Sequence, residues 1–324
     1  MSTRFLLSTA LGFTLSALAG GAAAQTSEPS KEVVLYPGMC EASAALMLEP
    51  GVFVVGDDDE RDLRVYRKDE PAMPAILKIP DLPGLKGKAD LEGAARIGDE
   101  IYWIGSHSRK NSGKEDLERH RLFAIKVKSA GGQFSAEAVG NPYDRLLADL
   151  QKDSRFDRFK LGAAAQLAPV ECGGLNIEGL AATPDGKLLL GFRGPVRGGK
   201  ALIVSLNNPR EVLMGGNPSF GDPIELDLGG LGIRSMDHWP AANAYLIIAG
   251  SFEDGGRFQA YRWSGRPSDN PQPIANAGLS LLVPEAAFFD PDAPDELFIL
   301  SDDGDACPKP QKAFRSRRVK LPIQ

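Results

Sequence analysis

One pattern of apolar and polar positions recurs five times between Glu41 and Asp305. Each unit opens on a charged residue and a run of small apolar residues, turns tightly, and continues as an almost unbroken apolar run. A charged loop and a third run of mixed character then follow. The units begin at Glu41, Glu92, Glu178, Arg234 and Glu285, at spacings of 51, 86, 56 and 51 residues. Their first turns carry Pro, Gly, Asp or Asn, as in Glu49-Pro50-Gly51 and Pro184-Asp185-Gly186, which supply the preset or positive φ of a tight reversal. The second runs, residues 52–55, 101–104, 188–192, 245–249 and 297–300, read as central strands covered on both faces. Third strands are expected at 64–67, 122–127, 202–206, 258–263 and 315–321, and fourth strands at 75–79, 134–139, 223–228 and 272–275. A period near fifty residues built from hairpins predicts an all-β fold, a β-propeller of about five blades, because one such unit cannot bury both faces of its sheet alone.

The last unit has no fourth strand of its own, and residues 32–36 (EVVLY) precede the first unit without a partner. The N-terminal strand is therefore expected to complete the C-terminal blade and remove the open sheet edges. The 86-residue interval holds an insertion at about 140–170. There Asn141-Pro142, followed by Tyr143, Leu146, Leu147 and Leu150, predicts a helix with Asn as N-cap and Pro at its first position. A degenerate sixth blade is the alternative.

The N-terminus changes the picture of where this domain works. Arg4, an apolar run from Phe5 to Leu18 and Ala22-Ala23-Ala24 have the layout of a cleaved secretory signal, so residues 1–24 are expected to be removed and residues 25–324 to form a single domain. The expected location is periplasmic or secreted, with no membrane span after cleavage. Loss of Arg4 leaves 36 basic against 43 acidic residues, a net charge of −7, which argues against nucleic acid as a partner. Cys40, Cys172 and Cys307 allow at most one intramolecular disulfide. Cys40–Cys307 is favoured because the first and last blades are neighbours, and Cys40–Cys172 remains open.

In a propeller, the starts of the inner strands and the loops between second and third strands share one face. This places Glu41, Glu92, Glu178, Arg234 and Glu285 as a ring at the channel mouth, with Asp57-Asp58-Asp59, His107 to Lys110, Arg193, Arg197, Glu253-Asp254, Asp302, Asp303 and Asp305 around it. Crowded carboxylates repel unless a cation or base neutralises them. Glu41, Glu92, Glu178, Glu285, Asp302 and Asp303 are thus candidate ligands of a hard cation, calcium before magnesium. Glu92, Glu178 and Glu285 are also the candidate catalytic carboxylates. The basic residues His107, Arg109, Lys110, Arg193, Arg197 and Arg234 would suit a small anionic ligand or an envelope component. The same ring can equally be structural, its glutamates bonding backbone amides to fix adjacent blades.

Other motifs fail on context. Gly194 to Lys200 approaches a P-loop, but Ala201 lacks the metal-binding hydroxyl and a strand follows. Asp302-Asp303-Gly304-Asp305 lacks the register of an EF-hand, and there is no G-x-S-x-G elbow.

The strings DLEGAARIGDEIYWIGSHSRKNSGK, GLNIEGLAATPDGKLLLGFRGP and PEAAFFDPDAPDELFILSDDGD resemble the bacterial family known as domain of unknown function 3616. That family brings no functional residues to carry over. The EGLA and SDDGD elements are similar, more distantly, to esterase-like phytase propellers, which implies a calcium-dependent phosphoester or ester hydrolase. Two expectations follow: a monomeric envelope ligand-binding protein with a carboxylate-lined channel mouth, and, as the alternative, that hydrolase.

Overall fold

The structure, a computed structural model, describes Met1 and residues 33–57, 60–253, 256–307 and 310–323. The expected signal segment lies outside the described residues, as do Asp58, Asp59 and Asp254 and the side chain of Asp305. Among the described residues, twenty strands form five four-stranded antiparallel sheets. Blade I is β2 (Ala44–Glu49), β3 (Val52–Gly56), β4 (Leu63–Arg67) and β5 (Glu70–Leu77). Blade II is β6 (Leu91–Ile97), β7 (Glu100–Gly105), β8 (Leu122–Ala130) and β9 (Gln133–Tyr143). Blade III is β10 (Asn176–Ala182), β11 (Leu188–Gly194), β12 (Lys200–Leu206) and β13 (Ile224–Asp227). Blade IV is β14 (Gly232–Trp239), β15 (Ala244–Gly250), β16 (Phe258–Trp263) and β17 (Gln272–Ile274). Blade V is β18 (Pro284–Asp290), β19 (Ala293–Ser301), β20 (Ala313–Lys320) and, from the other end of the chain, β1 (Val34–Pro37).

The strand after each first turn is buried as its apolar run requires. β3, β7, β11 and β15 are buried throughout, and β19 from Leu297 to Ser301. Each sheet packs its two faces against its neighbours, so the core is five hydrophobic clusters, each shared by two adjacent blades. Closure is as the unpartnered N-terminal strand predicts. β1 pairs antiparallel with β20, Val34 opposite Ser316 and Tyr36 opposite Phe314. Tyr36 also stacks on Phe314 at 5.4 Å inside an aromatic cluster shared with Phe53, Tyr66 and Phe298. A disulfide between Cys40 and Cys307 ties blade I to blade V, while Cys172 is exposed and unbridged.

The insertion corrects two details. Asn141 and Pro142 do not start the helix; β9 runs through them to Tyr143, which pairs with Leu122. The outermost strand tolerates Pro142 because one of its edges has no ladder to complete. The helix α1 (Leu146–Lys152) begins after Arg145, with no side-chain cap. The segment is no sixth blade: α1, the short α2 (Leu161–Ala164) and a 3₁₀ turn between them bury Leu146, Leu150, Phe156, Phe159 and Leu161 between blades II and III. Among the described residues, no helix is long and apolar enough to cross a membrane.

Candidate functional site

The ring residues owe their direction to the backbone. In blade II Leu91 faces Gly105 and Gly93 faces Ile104, so Glu92 is the residue the ladder skips. Glu178 is skipped in β10, Arg234 in β14 and Glu285 in β18. A bulge of this kind re-aims one side chain without breaking the strand. In blade I, Glu41 stands ahead of β2 and bridges to Asp302 of blade V. Glycine follows the bulge where the inner strands crowd most closely. A Cβ on Gly93 would lie 2.7 Å from Leu180 Cβ, and one on Gly179 would lie 2.7 Å from Ile233 Cγ2.

The result is a cavity of about 410 Å³ at one end of the channel. Seven carboxylates line it, those of Glu41, Asp90, Glu92, Glu178, Glu285, Asp302 and Asp303, against the guanidinium groups of Arg119 and Arg193. Arg234 lies buried among them at 1% exposure. Its Nε sits 3.6 Å from Glu178 Oε2, and its Nη1 donates to Glu285 Oε1. Glu178 Oε1 takes Arg193 Nη1 at 2.8 Å and accepts from Asn176 Nδ2 at 2.7 Å. Burial pushes the Glu178 carboxyl above its ordinary range, and the two guanidinium groups pull it back. Asp90 pairs with Arg119 at 2.9 Å. Asp303 is consumed by Ser301 Oγ at 2.8 Å and by Arg315, whose Nε and backbone N–H lie at 2.9 and 2.8 Å.

Two carboxyls differ from these. Among the described residues, neither Glu41 nor Asp302 pairs with a basic side chain. Asp302 is pushed up to about 8, chiefly by burial and then by the charges of Glu285 and Glu41. The Gly304 N–H, donating at 2.9 Å, and Arg234 act the other way without prevailing. A third group at the cavity has an unused acceptor: with its amide nitrogen committed to Glu178, Asn176 keeps a buried Oδ1 that accepts no hydrogen bond among the described residues.

The other basic candidates go elsewhere. Arg193 also donates to Pro169 O at 3.1 Å. Arg109 donates to Ala165 O, Gly113 O and Gln166 Oε1 at 2.9, 3.1 and 2.7 Å, which ties the insertion down. Lys110 pairs with Asp116 at 2.9 Å, and Arg197 is exposed. His107 is buried against His120, their rings 5.5 Å apart. Burial holds its imidazole down near 3, and its Nδ1 donates to Gly105 O at 2.9 Å. Asp90, Asn176 and Arg119 were not singled out from the sequence. Asp90 and Asn176 each stand two residues before a ring glutamate, and that spacing was the available signal.

Among the described residues, no three His, Cys, Asp or Glu side chains converge on one point where a metal ion would sit. The carboxylates ring a space several atoms across.

No curated protein matches the chain. Solved structures similar to it include the PQQ-bound aldose sugar dehydrogenase of Streptomyces coelicolor, at 13% identity and TM-score 0.44 over 90% of this chain and 100% of that one. A luciferin-regenerating enzyme is similar at 10% identity and TM-score 0.42, over 90% and 96% of the two chains. Virginiamycin B lyase of Staphylococcus aureus is similar at 11% identity and TM-score 0.32, over 90% and 76%. None of these likenesses bears on activity. The model of the family described as "Protein of unknown function (DUF3616)" matches residues 124–286, half of the sequence, and the chain belongs to that family.

Proposed function

We propose that this protein is an exported, monomeric propeller that binds a small ligand at the carboxylate-lined mouth, and that the ligand carries a cationic group bearing N–H donors. The observation that carries the reading is that Glu41 and Asp302 face one cavity without a basic partner among the described residues. A ligand cation would supply that partner, and its N–H groups would find a further acceptor in Asn176 Oδ1. The signal-like N-terminus and the Cys40–Cys307 disulfide support an oxidising compartment outside the cytoplasm.

An anionic ligand is less well served, because Arg193 and Arg234 are already paired and Arg109 and Lys110 hold loops. Among the described residues no three carboxylates are gathered where one ion would sit, which favours an organic cation over calcium-assisted hydrolysis. A thermal-shift series tests the choice. Putrescine and arginine methyl ester are expected to raise the melting temperature of the wild-type chain in a dose-dependent way, and to lose that effect in the Glu41→Gln/Asp302→Asn variant. Stabilisation by phosphate or citrate alone would overturn the reading.

A further inference from the structure

The opposite end of the channel has a different cavity, of about 640 Å³, to which all five blades contribute. Its walls are mostly apolar, among them Leu46, Ile97, Phe289 and Pro294. Asp237 of β14 lies where this cavity meets the narrow throat of the channel. Its Oδ2 accepts the N–H of Phe289 at 3.0 Å, and the backbone N–H of His238 also bonds to the carboxyl. Among the described residues, no side-chain cation reaches it. The charged neighbours are spoken for: Arg96 donates to Met47 O and Leu48 O at 3.0 and 3.3 Å, and Asp290 pairs with Lys68 at 2.5 Å. His238, packed 5.2 Å from the Tyr245 ring, has its imidazole pushed below the ordinary histidine range by burial.

We propose that this cavity is a second binding site, for a ligand with an ammonium group on an apolar chain, the ammonium pairing with Asp237 and the chain lying on the surrounding apolar wall. A carboxylate served only by backbone donors at the floor of an apolar pocket is a strong point of attraction for a cation, because the low-polarity wall strengthens the pairing. Burial holds Asp237 up to about 7, the mark of a carboxyl lacking a counter-charge. The throat between the two cavities, lined by Ser43, Gly93, Leu180 and Ala286, has a volume of only about 10 Å³. That is room for roughly one water molecule, so a ligand here does not reach the mouth.

The test uses the full processed chain with its disulfide intact. n-Octylamine and n-octanol compete for displacement of the fluorescent apolar probe N-phenyl-1-naphthylamine. The amine is expected to displace it with an apparent affinity at least tenfold above that of the alcohol. Asp237→Asn, which keeps an acceptor for the Phe289 N–H, is expected to bring the two within twofold. Ala182→Phe, which fills the cavity from another blade, is expected to abolish displacement by both. Glu41→Gln/Asp302→Asn should leave the amine preference intact, which separates this site from the mouth. Equal displacement by amine and alcohol on the wild-type chain, a preference that survives Asp237→Asn, or one lost in the mouth variant would each overturn the proposal.

Discussion

The two ends of the channel are made by the same five inner strands, yet they solve opposite problems. At the mouth, bulges turn Glu92, Glu178, Arg234 and Glu285 inward, so the strands meet through buried charge. At the far end the strands run into turns, and the cavity is walled mostly by apolar side chains, with the carboxyl of Asp237 at its floor. The blades are latched differently as well. Toward the far end, Ser235 Oγ and Asp237 Oδ2 accept the N–H groups of Ala287 and Phe289, a neutral hydroxyl and one carboxyl satisfying the inner edge of blade V. At the mouth, Arg234 bridges Glu178 of blade III and Glu285 of blade V. Buried ion pairs are costly to desolvate and costlier to break, so the mouth should be the sensitive end.

That contrast can be broken at several points. Arg234→Ala leaves Glu178 and Glu285 without their shared cation and is expected to cost about 3–5 kcal/mol in chemical denaturation. Asp237→Asn at the other end, keeping its acceptor, should cost under about 1 kcal/mol. Replacing Cys40 and Cys307 by Ser is expected to cost about 2–4 kcal/mol, because the bridge closes nearly the whole chain, whereas Cys172→Ser should stay within about 0.5 kcal/mol. Asp302→Asn changes the slope of stability with pH. The native carboxyl holds its proton to about 8, while the unfolded one releases it near the ordinary carboxylate range. Between those values the native state binds more protons, so this group's contribution falls as pH rises. The variant should therefore gain on the wild type in melting temperature from pH 5 to pH 8; a constant difference would contradict the assignment. A modest effect is expected of Gly98→Ala, at a far-end turn where φ is +61° and nothing crowds the Cβ. It should cost about 1 kcal/mol, from backbone strain alone.

Much of this arrangement was legible in the repeat. The charged residue that opens each unit is the ring residue, and the closing strand Val34–Pro37 overlaps the orphan segment expected at 32–36. These follow from local periodicity and from the requirement that sheet edges be covered. The bulges were not legible, because a skipped residue depends on the partner strand's register. The destinations of Arg109 and Lys110 were not legible either. Arg109 reaches Ala165 and Gln166, more than fifty residues away, and nothing along the chain marks that pairing. The helix start slipped past Asn141-Pro142 for a related reason: good capping chemistry was overridden by the ladder between β8 and β9.

Proton-linked calorimetry tests the proposed cation site at Glu41 and Asp302 most directly. Putrescine is titrated into the protein at pH 7 in two buffers of different ionisation enthalpy. A cation seated beside Asp302 must drive off the proton that the unneutralised mouth retains, so binding should release a large fraction of one proton in the wild type and none in Asp302→Asn. No binding, proton uptake, or a release that is the same in the variant would contradict the account.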